Sequence, residues 1–281
     1  NNPLILALTA SPGSTREKIS EVCENLYINN IEVKTEEDEE LSEYLQKKEV
    51  ENIKLELPDT FKKIKDPLNA QYKSKIKNLI TLGFSKPHYL INKKDLILLQ
   101  IRFQKEINKG SRTAYRGISL VAELLKLNYA LELIETQTPK AFIEYIYKLQ
   151  KETSKASKNI TNQKSIQTAL KHAENLCKTK TLHPKMVKLK EIITNSIKIN
   201  PKNKTIIFAN YRSTVSEIKK ELEELMGTKP TILVGQKDGV TQKDQLKTIE
   251  KFNNDEYNIL ICTSIGEEGL SIGSLDQAIF Y

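Results

Sequence analysis

The hydrophobic and polar positions follow two different patterns along the chain, and each pattern predicts a different kind of structure. After residue 184, helical patterns alternate with the short apolar runs TIIFAN, TILVG, YNILICTS and QAIFY. Strands with nearly all-apolar centres that are separated by single helices are typical of a parallel sheet with crossover connections. This part of the chain is therefore predicted to be an α/β domain.

The chain opens with a similar but shorter unit. The apolar run PLILALT predicts a strand that is buried on both faces, and residues 16–28 predict a helix that Ser14 and Glu17 cap. The alternating stretch NIKLELP predicts a second strand. Because one strand and its helix cannot bury a sheet face, we expect this unit to be the end of a domain whose body lies outside the sequence. The chain is then part of a larger protein.

Only helical periodicity is found in residues 61–180. The pattern predicts a bundle of about five helices, over residues 66–83, 92–110, 114–136, 139–157 and 162–178. Pro67 lies at the predicted start of the first helix, and the polar stretch 154–165 is predicted to be a mobile loop. The predicted domains are therefore residues 1–60, a helical domain over 61–180 and an α/β domain over 181–281.

The charge is divided as sharply as the hydrophobic pattern. The chain has 44 lysines and arginines, 36 aspartates and glutamates, and a net charge of +8. Residues 61–180 contain 24 of the basic residues but 9 of the acidic ones, so the rest of the chain is acidic on balance. A basic helical segment inside an acidic frame indicates a polyanionic partner, most simply a nucleic acid.

Composition argues against several other classes of protein. No apolar stretch approaches the ~20 residues of a membrane span, and no signal peptide opens the sequence. The three cysteines are far apart in sequence and the three histidines form no cluster, which argues against a zinc site. We therefore expect a reduced, cytoplasmic protein, associated with the nucleoid in a prokaryote, with no metal site and no membrane partner.

Candidate binding residues lie where the predicted strands end, because ligands bind at the carboxyl ends of parallel strands. These residues are Tyr211 and Arg212, Gly235 and Gln236, and Thr263 and Ser264. Hydroxyls, amides and helix N-termini at such positions can hold nucleic-acid phosphates. Taken singly, most of these signals are also explained by a helix cap or a solvated surface.

The basic segment contains a second group of candidates, all of them lysines and arginines. They are Lys93, Lys94, Arg102, Lys105, Lys109, Arg112 and Arg116, with Lys75, Lys77, Lys151, Lys155 and Lys158 in addition. Because acidic residues are scarce there, an ordinary solvated surface explains the segment less well than phosphate binding does. Tyr115 is a candidate for stacking on bases, whereas Tyr129 lies in so apolar a stretch that we expect it in the core.

Four motifs together resemble a known family. LTASPGS, FANYRST, VGQ with GVTQKDQL, and CTSIGEEGL resemble, in this order, motifs III, IV, IVa and V of superfamily 2 helicases, with wording closest to archaeal Hef and its eukaryotic relative FANCM. The resemblance covers nearly the whole chain. It implies RecA-like parallel-sheet domains of the P-loop NTPase type, with the basic bundle as the family's helical insertion and residues 181–281 as the helicase C-terminal domain.

The resemblance also implies a function and a role for each motif. The parent protein would use ATP and Mg²⁺ to translocate on forked or branched DNA during replication-fork repair. The resemblance implies that Thr9, Ala10 and Ser11 couple the nucleotide site to the strand-binding surface. It implies contact with the tracked strand for Tyr211, Arg212, Gly235 and Gln236. It implies phosphate contact for Thr263 and Ser264. The interdomain cleft would contain Glu267, Glu268, Gly269, Leu270 and Ser271. The family usually has aspartate at position 271, so the missing charge leaves the nucleotide contact there open.

Three elements of a complete motor are absent from the 281 residues. The chain contains no G-x-x-x-x-G-K-[ST] loop, no Asp-Glu-x-His box and no arginine-rich motif VI. These elements supply the phosphate cradle, the metal site and the arginine finger. We therefore expect the chain alone to bind neither ATP nor Mg²⁺ and to hydrolyse no ATP. Two alternatives remain: a nucleic-acid-binding or protein-docking module without motor activity, and an RNA helicase of the RIG-I or Dicer type.

Overall fold

Helix α1, Arg16–Asn25, lies in the first of two units into which the contacts of the computed structural model divide the chain, Asn1–Lys54 and Leu55–Tyr281. The structure describes residues 5–9, 13, 15–34, 38, 49–82, 91–235, 241–263 and 272–281. Thr15 has the extended backbone of an N-cap, and its side chain accepts a hydrogen bond from the Lys18 N–H at 3.4 Å. The predicted cap, Ser14, was therefore wrong by one position, and Ser14 itself lies outside the described residues.

Neither of the two strands predicted before residue 60 is found. The described residues 5–9 and 49–58 carry no strand, and Leu6 and Leu8 are 80% and 86% exposed. A strand forms when its backbone N–H and C=O groups pair with a neighbour, and no described residue supplies that neighbour. The predictions for PLILALT and NIKLELP were therefore wrong for the residues that the structure describes.

A bundle of helices forms the first half of the second unit. Its described helices are α2 (Asp59–Ile80), α3 (Lys93–Asn108), α4 (Arg112–Thr136), α5 (Pro139–Lys151), α6 (Lys155–Thr161) and α7 (Lys164–Lys178). The longest, α4, packs against α2, α3, α5 and α6. Among the described residues, this stretch contains helices and no strand, as predicted.

Helix α2 begins at Asp59, seven positions before the predicted start, so Pro67 lies inside the helix. Proline removes one backbone hydrogen bond and normally ends a helix. Here Phe61 and Ile64, on the N-terminal side of Pro67, are fully buried in the bundle. Their burial stabilises the extra turns, which the sequence pattern alone does not indicate.

The polar stretch between α5 and α7 is ordered, which corrects the prediction of a mobile loop. Ser154 caps α6 by accepting from the Ser157 N–H at 3.2 Å. Within α6, Ser157 is fully buried and Ile160 is 1% exposed. A short helix thus forms because its few apolar positions reach the bundle core.

Two apolar clusters stabilise the bundle, and α2 and α4 contribute to both. The larger cluster joins these helices to α5, α6 and α7, and the smaller one joins them to α3. A buried ion pair lies on the same two helices: the Lys75 ammonium contacts Glu123, whose other oxygen accepts from Asn159 at 2.8 Å. Lys75 therefore belongs to the interior and not to the basic surface with which it was grouped.

The second half of the unit is a four-stranded parallel sheet. Its elements are α8 (Pro184–Ile199), β1 (Thr205–Phe208), α9 (Arg212–Glu223), β2 (Pro230–Leu233), α10 (Gln242–Asn253), β3 (Ile259–Cys262) and β4 (Gln277–Phe280). The strand order is β2-β3-β1-β4, and every pairing is parallel. The predicted α/β fold with crossover helices is confirmed.

Both faces of the sheet are covered, which explains the continuous apolar runs. Ile207 and Ile261 face the cluster that contains α8 and α9, whereas Ile206 and Leu260 face the cluster that contains α10. Successive strand residues point to opposite faces, so a strand between two helical layers needs apolar residues at every position. Because the strands are parallel, the carboxyl ends of β1, β2 and β3 lie at one edge of the sheet. Among the described residues, no helix is long and apolar enough to cross a membrane.

Candidate nucleic-acid interface

Two of the predicted site residues are joined at the carboxyl edge of the sheet. Arg212 begins α9 directly after β1, and Gly235 follows β2. The Arg212 Nη2 donates a hydrogen bond to the Gly235 carbonyl at 2.7 Å. Because β3 lies between β1 and β2, this bond spans the end of β3. The loop after β2 is therefore tied to the start of α9, as expected of residues that share one ligand site.

Thr263 lies at the same edge, immediately after β3. Its side chain is 6% exposed, and its Oγ1 is buried with no hydrogen-bond partner among the described residues. Such an orphaned hydroxyl is uncommon in a protein interior, where polar groups are normally paired. The preceding Cys262 is fully buried, and burial raises the pKa of its thiol to about 12, so it is no nucleophile.

Tyr211 faces the helical bundle. Its hydroxyl donates to Glu132 Oε1 on α4 at 2.7 Å, and its ring lies 5.8 Å from the ring of Tyr129 in an edge-to-face contact. The pKa of Tyr211 is raised mainly by burial and also by its hydrogen bond to the Glu132 carboxylate. The Lys93 ammonium lies 3.7 Å from the other oxygen of Glu132. Glu132 therefore links the strand-end turn to the basic face of the bundle, and Tyr129 packs against the core as predicted.

More contacts hold the bundle against the sheet domain. Thr214 on α9 hydrogen-bonds the side chain of Gln137, and both residues are 1% exposed. Beside them, Thr138 hydrogen-bonds Glu217, whose pKa is raised by burial in spite of that bond. A buried polar pair has a strong geometric requirement, so these bonds fix the orientation of the two parts of this unit.

His183 lies between α7 and α8, and it is buried at 3% exposure. Its Nδ1 accepts from the Lys185 N–H at 3.2 Å, and its ring lies edge-to-face against Phe61 at 5.2 Å. Its Nε2 faces the backbone carbonyls of Ile134 and Glu135 without a hydrogen bond of good geometry. Burial, with the nearby Lys185 charge, lowers the pKa of His183 to about 4. The imidazole is therefore neutral at physiological pH.

The predicted basic residues are exposed and lie on one helical hairpin formed by α3 and α4. They are Lys93, Lys94, Arg102, Lys105, Lys109, Arg112 and Arg116. Lys93 pairs with Glu132, and the Arg102 Nε donates to Glu106 at 3.0 Å. Across the described ranges, the other five have no acidic partner within ion-pair distance. Unneutralised cations on one hairpin suit the phosphates of a nucleic acid.

The hairpin is closed by a close approach of its two helices. Gly110 ends α3 with a φ of +85°, the left-handed conformation in which glycine is favoured. Gly117 on α4 lies against the ring of Phe103 on α3, and a Cβ at position 117 would come within 2.6 Å of that ring. This register places Lys105 and Lys109, near the end of α3, level with the first turns of α4, which contain Arg112 and Arg116.

Comparison with known proteins finds a match for the helical bundle and another for the sheet domain. Residues 60–183 match the family described as putative ATP-dependent RNA helicase, helical bundle, and residues 184–281 match the helicase conserved C-terminal domain. The structure resembles the crystal structure of the Pyrococcus furiosus Hef helicase domain, with a TM-score of 0.78 and 35% identity over 97% of this chain and 57% of that one. By both domain matches and by this structural likeness, the chain is similar to the helicase domain of Hef.

Curated relatives of the chain are helicases by name. One from Methanocaldococcus jannaschii, named a putative ATP-dependent RNA helicase, is 36% identical over 99% of this chain and 35% of its own length. The ATP-dependent DNA helicase Fml1 of Schizosaccharomyces pombe is 29% identical with the same coverage, and Mph1 of Neurospora crassa is 28% identical over 99% of this chain and 26% of its own. The chain thus spans about a third or less of these relatives.

The structure describes some of the remaining predicted site residues and not others. Thr9 is described and exposed, whereas Ala10, Ser11, Gln236, Ser264 and the cleft residues Glu267, Glu268, Gly269, Leu270 and Ser271 lie outside the described residues. The described residues include no glycine-rich phosphate loop and bring together no group of three or more potential metal ligands. The roles toward nucleotide that were expected for Thr9 and for the cleft residues stay predictions. Sequence reasoning missed Glu132 and His183, whose partners lie on distant elements.

Proposed function

We propose that the chain is the part of an ATP-dependent DNA helicase or translocase that holds forked or branched DNA during replication-fork repair. The observation that carries the proposal is the α3–α4 hairpin, with Lys94, Lys105, Lys109, Arg112 and Arg116 exposed and without acidic partners in the described ranges. Five such cations repel one another in the absence of an anion, and a nucleic-acid backbone is the anion that extends along a helical hairpin.

The sheet edge supports the same function. Arg212 and Gly235 are joined there, and the buried Thr263 hydroxyl beside them has no partner among the described residues. We assign contact with the tracked strand to Tyr211, Arg212 and Gly235 and phosphate contact to Thr263. In the parent protein, closure of two RecA-like domains by ATP and Mg²⁺ would shift this grip along one strand. The three-part division at residues 60 and 180 is the framework for this proposal.

The names of the relatives favour DNA. Fml1 and Mph1 are both named DNA helicases. With DNA as its partner, the parent protein would work in the cytoplasm at the nucleoid of a prokaryote. The chain itself lacks a phosphate loop, so we propose that it hydrolyses no ATP alone.

Affinity measurements on the 281-residue chain test this function. Forked, duplex and single-stranded DNA carry the same label, and fluorescence anisotropy gives the dissociation constants across a salt series. We expect the tightest binding to forked DNA and a logarithm of affinity that falls steeply with the logarithm of salt concentration, because phosphate contacts release counterions. Absence of binding, or binding that does not change with salt, would refute the proposal.

An RNA substrate is the second candidate. The M. jannaschii relative is named a putative RNA helicase, and the family of the helical bundle carries the same description. Double-stranded RNA added to the same series of ligands distinguishes the two. Tighter binding to RNA duplex than to forked DNA at equal salt would replace the DNA proposal by the RNA one.

A further inference from the structure

The face of α3 that points away from the bundle carries three exposed branched aliphatic side chains. Ile97, Leu98 and Ile101 are 43%, 65% and 50% exposed. The inner face of the same helix, with Leu99 and Phe103, already supplies the contacts to α2 and α4. Ile97, Leu98 and Ile101 therefore add little to the stability of the bundle. Their exposure to water is unfavourable, which indicates a role other than packing within the bundle.

Two lysines frame this apolar face along the helix. Lys94 lies one turn before Ile97 and Leu98, and Lys105 lies one turn after Ile101, at the spacing that puts all of them on one side of a helix. With a rise of about 1.5 Å per residue, the lysines are about 16 Å apart and the apolar centre is about 6 Å long. Both lysines are exposed, and no described acidic side chain pairs with either.

Acidic groups on α3 are engaged elsewhere. Asp95 accepts from the Asn92 N–H in the cap of the helix at 2.9 Å, and Glu106 accepts from Arg102. The outer face is thus apolar at its centre and positive at both ends. This combination fits a partner with flat apolar surfaces between negative charges, which describes unstacked bases between phosphates.

We propose that Ile97, Leu98 and Ile101 pack against the bases exposed at a nucleic-acid branch, while Lys94 and Lys105 contact the phosphates on either side. The proposal rests on the proposed function and adds to it the element that distinguishes a branch from a continuous duplex. A length of about 6 Å matches the thickness of about two stacked bases. Architectural proteins also pack aliphatic side chains against bases, but in a duplex they must first unstack a base step, whereas at a branch the bases are already exposed. A continuous duplex offers no such bases, so its affinity does not depend on this face.

The test replaces all three aliphatic residues by serine and uses a fork with 2-aminopurine beside the branch. The chain has no tryptophan, so 2-aminopurine is excited without interference from the protein. We expect binding of the unsubstituted chain to change the fluorescence, and we expect the triple variant to abolish that change. Its affinity for the fork falls by about tenfold, because the aliphatic surface that is buried against the bases is lost, while its affinity for duplex DNA is unchanged.

A matched control substitutes three exposed apolar residues outside the bundle, Val187, Ile199 and Met226, by serine. The control keeps the fork affinity and the fluorescence change, and circular dichroism verifies that both variants are folded. Equal fork affinity of the triple variant and the unsubstituted chain overturns the inference and leaves the proposed function intact; a protein partner for this face is then the explanation to pursue. An equal loss on fork and duplex also overturns it. Failure of the unsubstituted chain to bind any nucleic acid refutes the proposed function as well.

Discussion

The bond from Tyr211 to Glu132 joins the strand-end turn to the bundle, and its energetic contribution can be isolated. Removal of the hydroxyl (Tyr211→Phe) leaves the ring in place, and Glu132→Ala removes the acceptor. A hydrogen bond to a charged acceptor contributes about 1.5–3 kcal/mol when buried. The Glu132 side chain is 30% exposed, so water replaces part of the missing bond and the expected coupling is about 1 kcal/mol.

The ion pair on the other side of Glu132 contributes less. Lys93 lies 3.7 Å from the carboxylate and is 56% exposed, and pairs of this kind contribute about 0–1 kcal/mol. A double-mutant cycle therefore separates the two contacts: Tyr211 and Glu132 should be strongly coupled, whereas Lys93 and Tyr211, which share Glu132 as a partner, should be coupled more weakly because the exposed ion pair contributes little.

Urea unfolding followed by far-ultraviolet circular dichroism gives the free energies of unfolding for the cycle. We expect the double variant Tyr211→Phe with Glu132→Ala to be less destabilised than the sum of the single variants by about 1 kcal/mol, with unchanged dependence on urea. Additive changes, within about 0.5 kcal/mol, would show that the hydroxyl and the carboxylate are not coupled and that the bundle does not hold the turn through this bond.

Three further predictions concern packing and titration. Gly117→Ala forces the Phe103 ring to move, which costs about 1–3 kcal/mol, while helix propensity returns about 1 kcal/mol, so the expected net loss of stability is about 0–2 kcal/mol; a urea midpoint higher than that of the unsubstituted chain would contradict this. Thr214→Val leaves the buried Gln137 oxygen without its donor and should lower the free energy of unfolding by about 1–3 kcal/mol, whereas a neutral effect would mean that the bond is unimportant. The pKa of His183 is lowered from 6.5 to about 4, so as pH falls the imidazole is protonated in the unfolded chain before it is protonated in the folded one. The contribution of the neutral His183 to stability is therefore complete above pH 6.5. It is lost as pH falls toward 4, by up to about 1.4 kcal/mol per pH unit. Urea midpoints should fall less steeply with pH in His183→Gln than in the unsubstituted chain, and parallel pH profiles would refute this assignment.

Much of the second unit follows from its sequence pattern. Helix α8 spans the predicted residues because Pro184 begins it and a regular apolar stripe, with Met186, Leu189 and Ile193, packs against the sheet. The joining of Arg212 to Gly235 also follows, since the ends of parallel strands meet at one edge. Here local periodicity and tertiary packing indicate the same structure.

Other features depend on contacts that no local pattern contains. Apolar and polar residues alternate in NIKLELP as they do in a strand, but a strand also requires a partner strand with which to pair. No partner strand for this segment lies among the described residues. Pro67 indicated a helix start, whereas burial of Phe61 on its N-terminal side extends the helix. The link from Tyr211 to Glu132 joins residues 79 positions apart and depends on how the bundle docks on the sheet domain. Glu132 is one of three glutamates in the largely apolar helix α4, so the sequence did not single it out.

The central claim is that the α3–α4 hairpin binds nucleic-acid phosphates, and one comparison tests it most directly. Lys105, Lys109, Arg112 and Arg116 are all replaced by glutamine, and a matched control carries the same change in charge at the exposed Lys171, Lys178, Lys198 and Lys202. Fluorescence anisotropy with forked DNA across a salt series gives the slope of log affinity against log salt for each protein.

We expect the hairpin variant to bind more weakly than the control, and we expect its slope to be smaller by about one for each phosphate that the substituted side chains no longer neutralise. The control should keep most of the affinity and the slope of the unsubstituted chain. Equal affinities and equal slopes for the two variants would contradict the claim, because net charge alone would then account for binding.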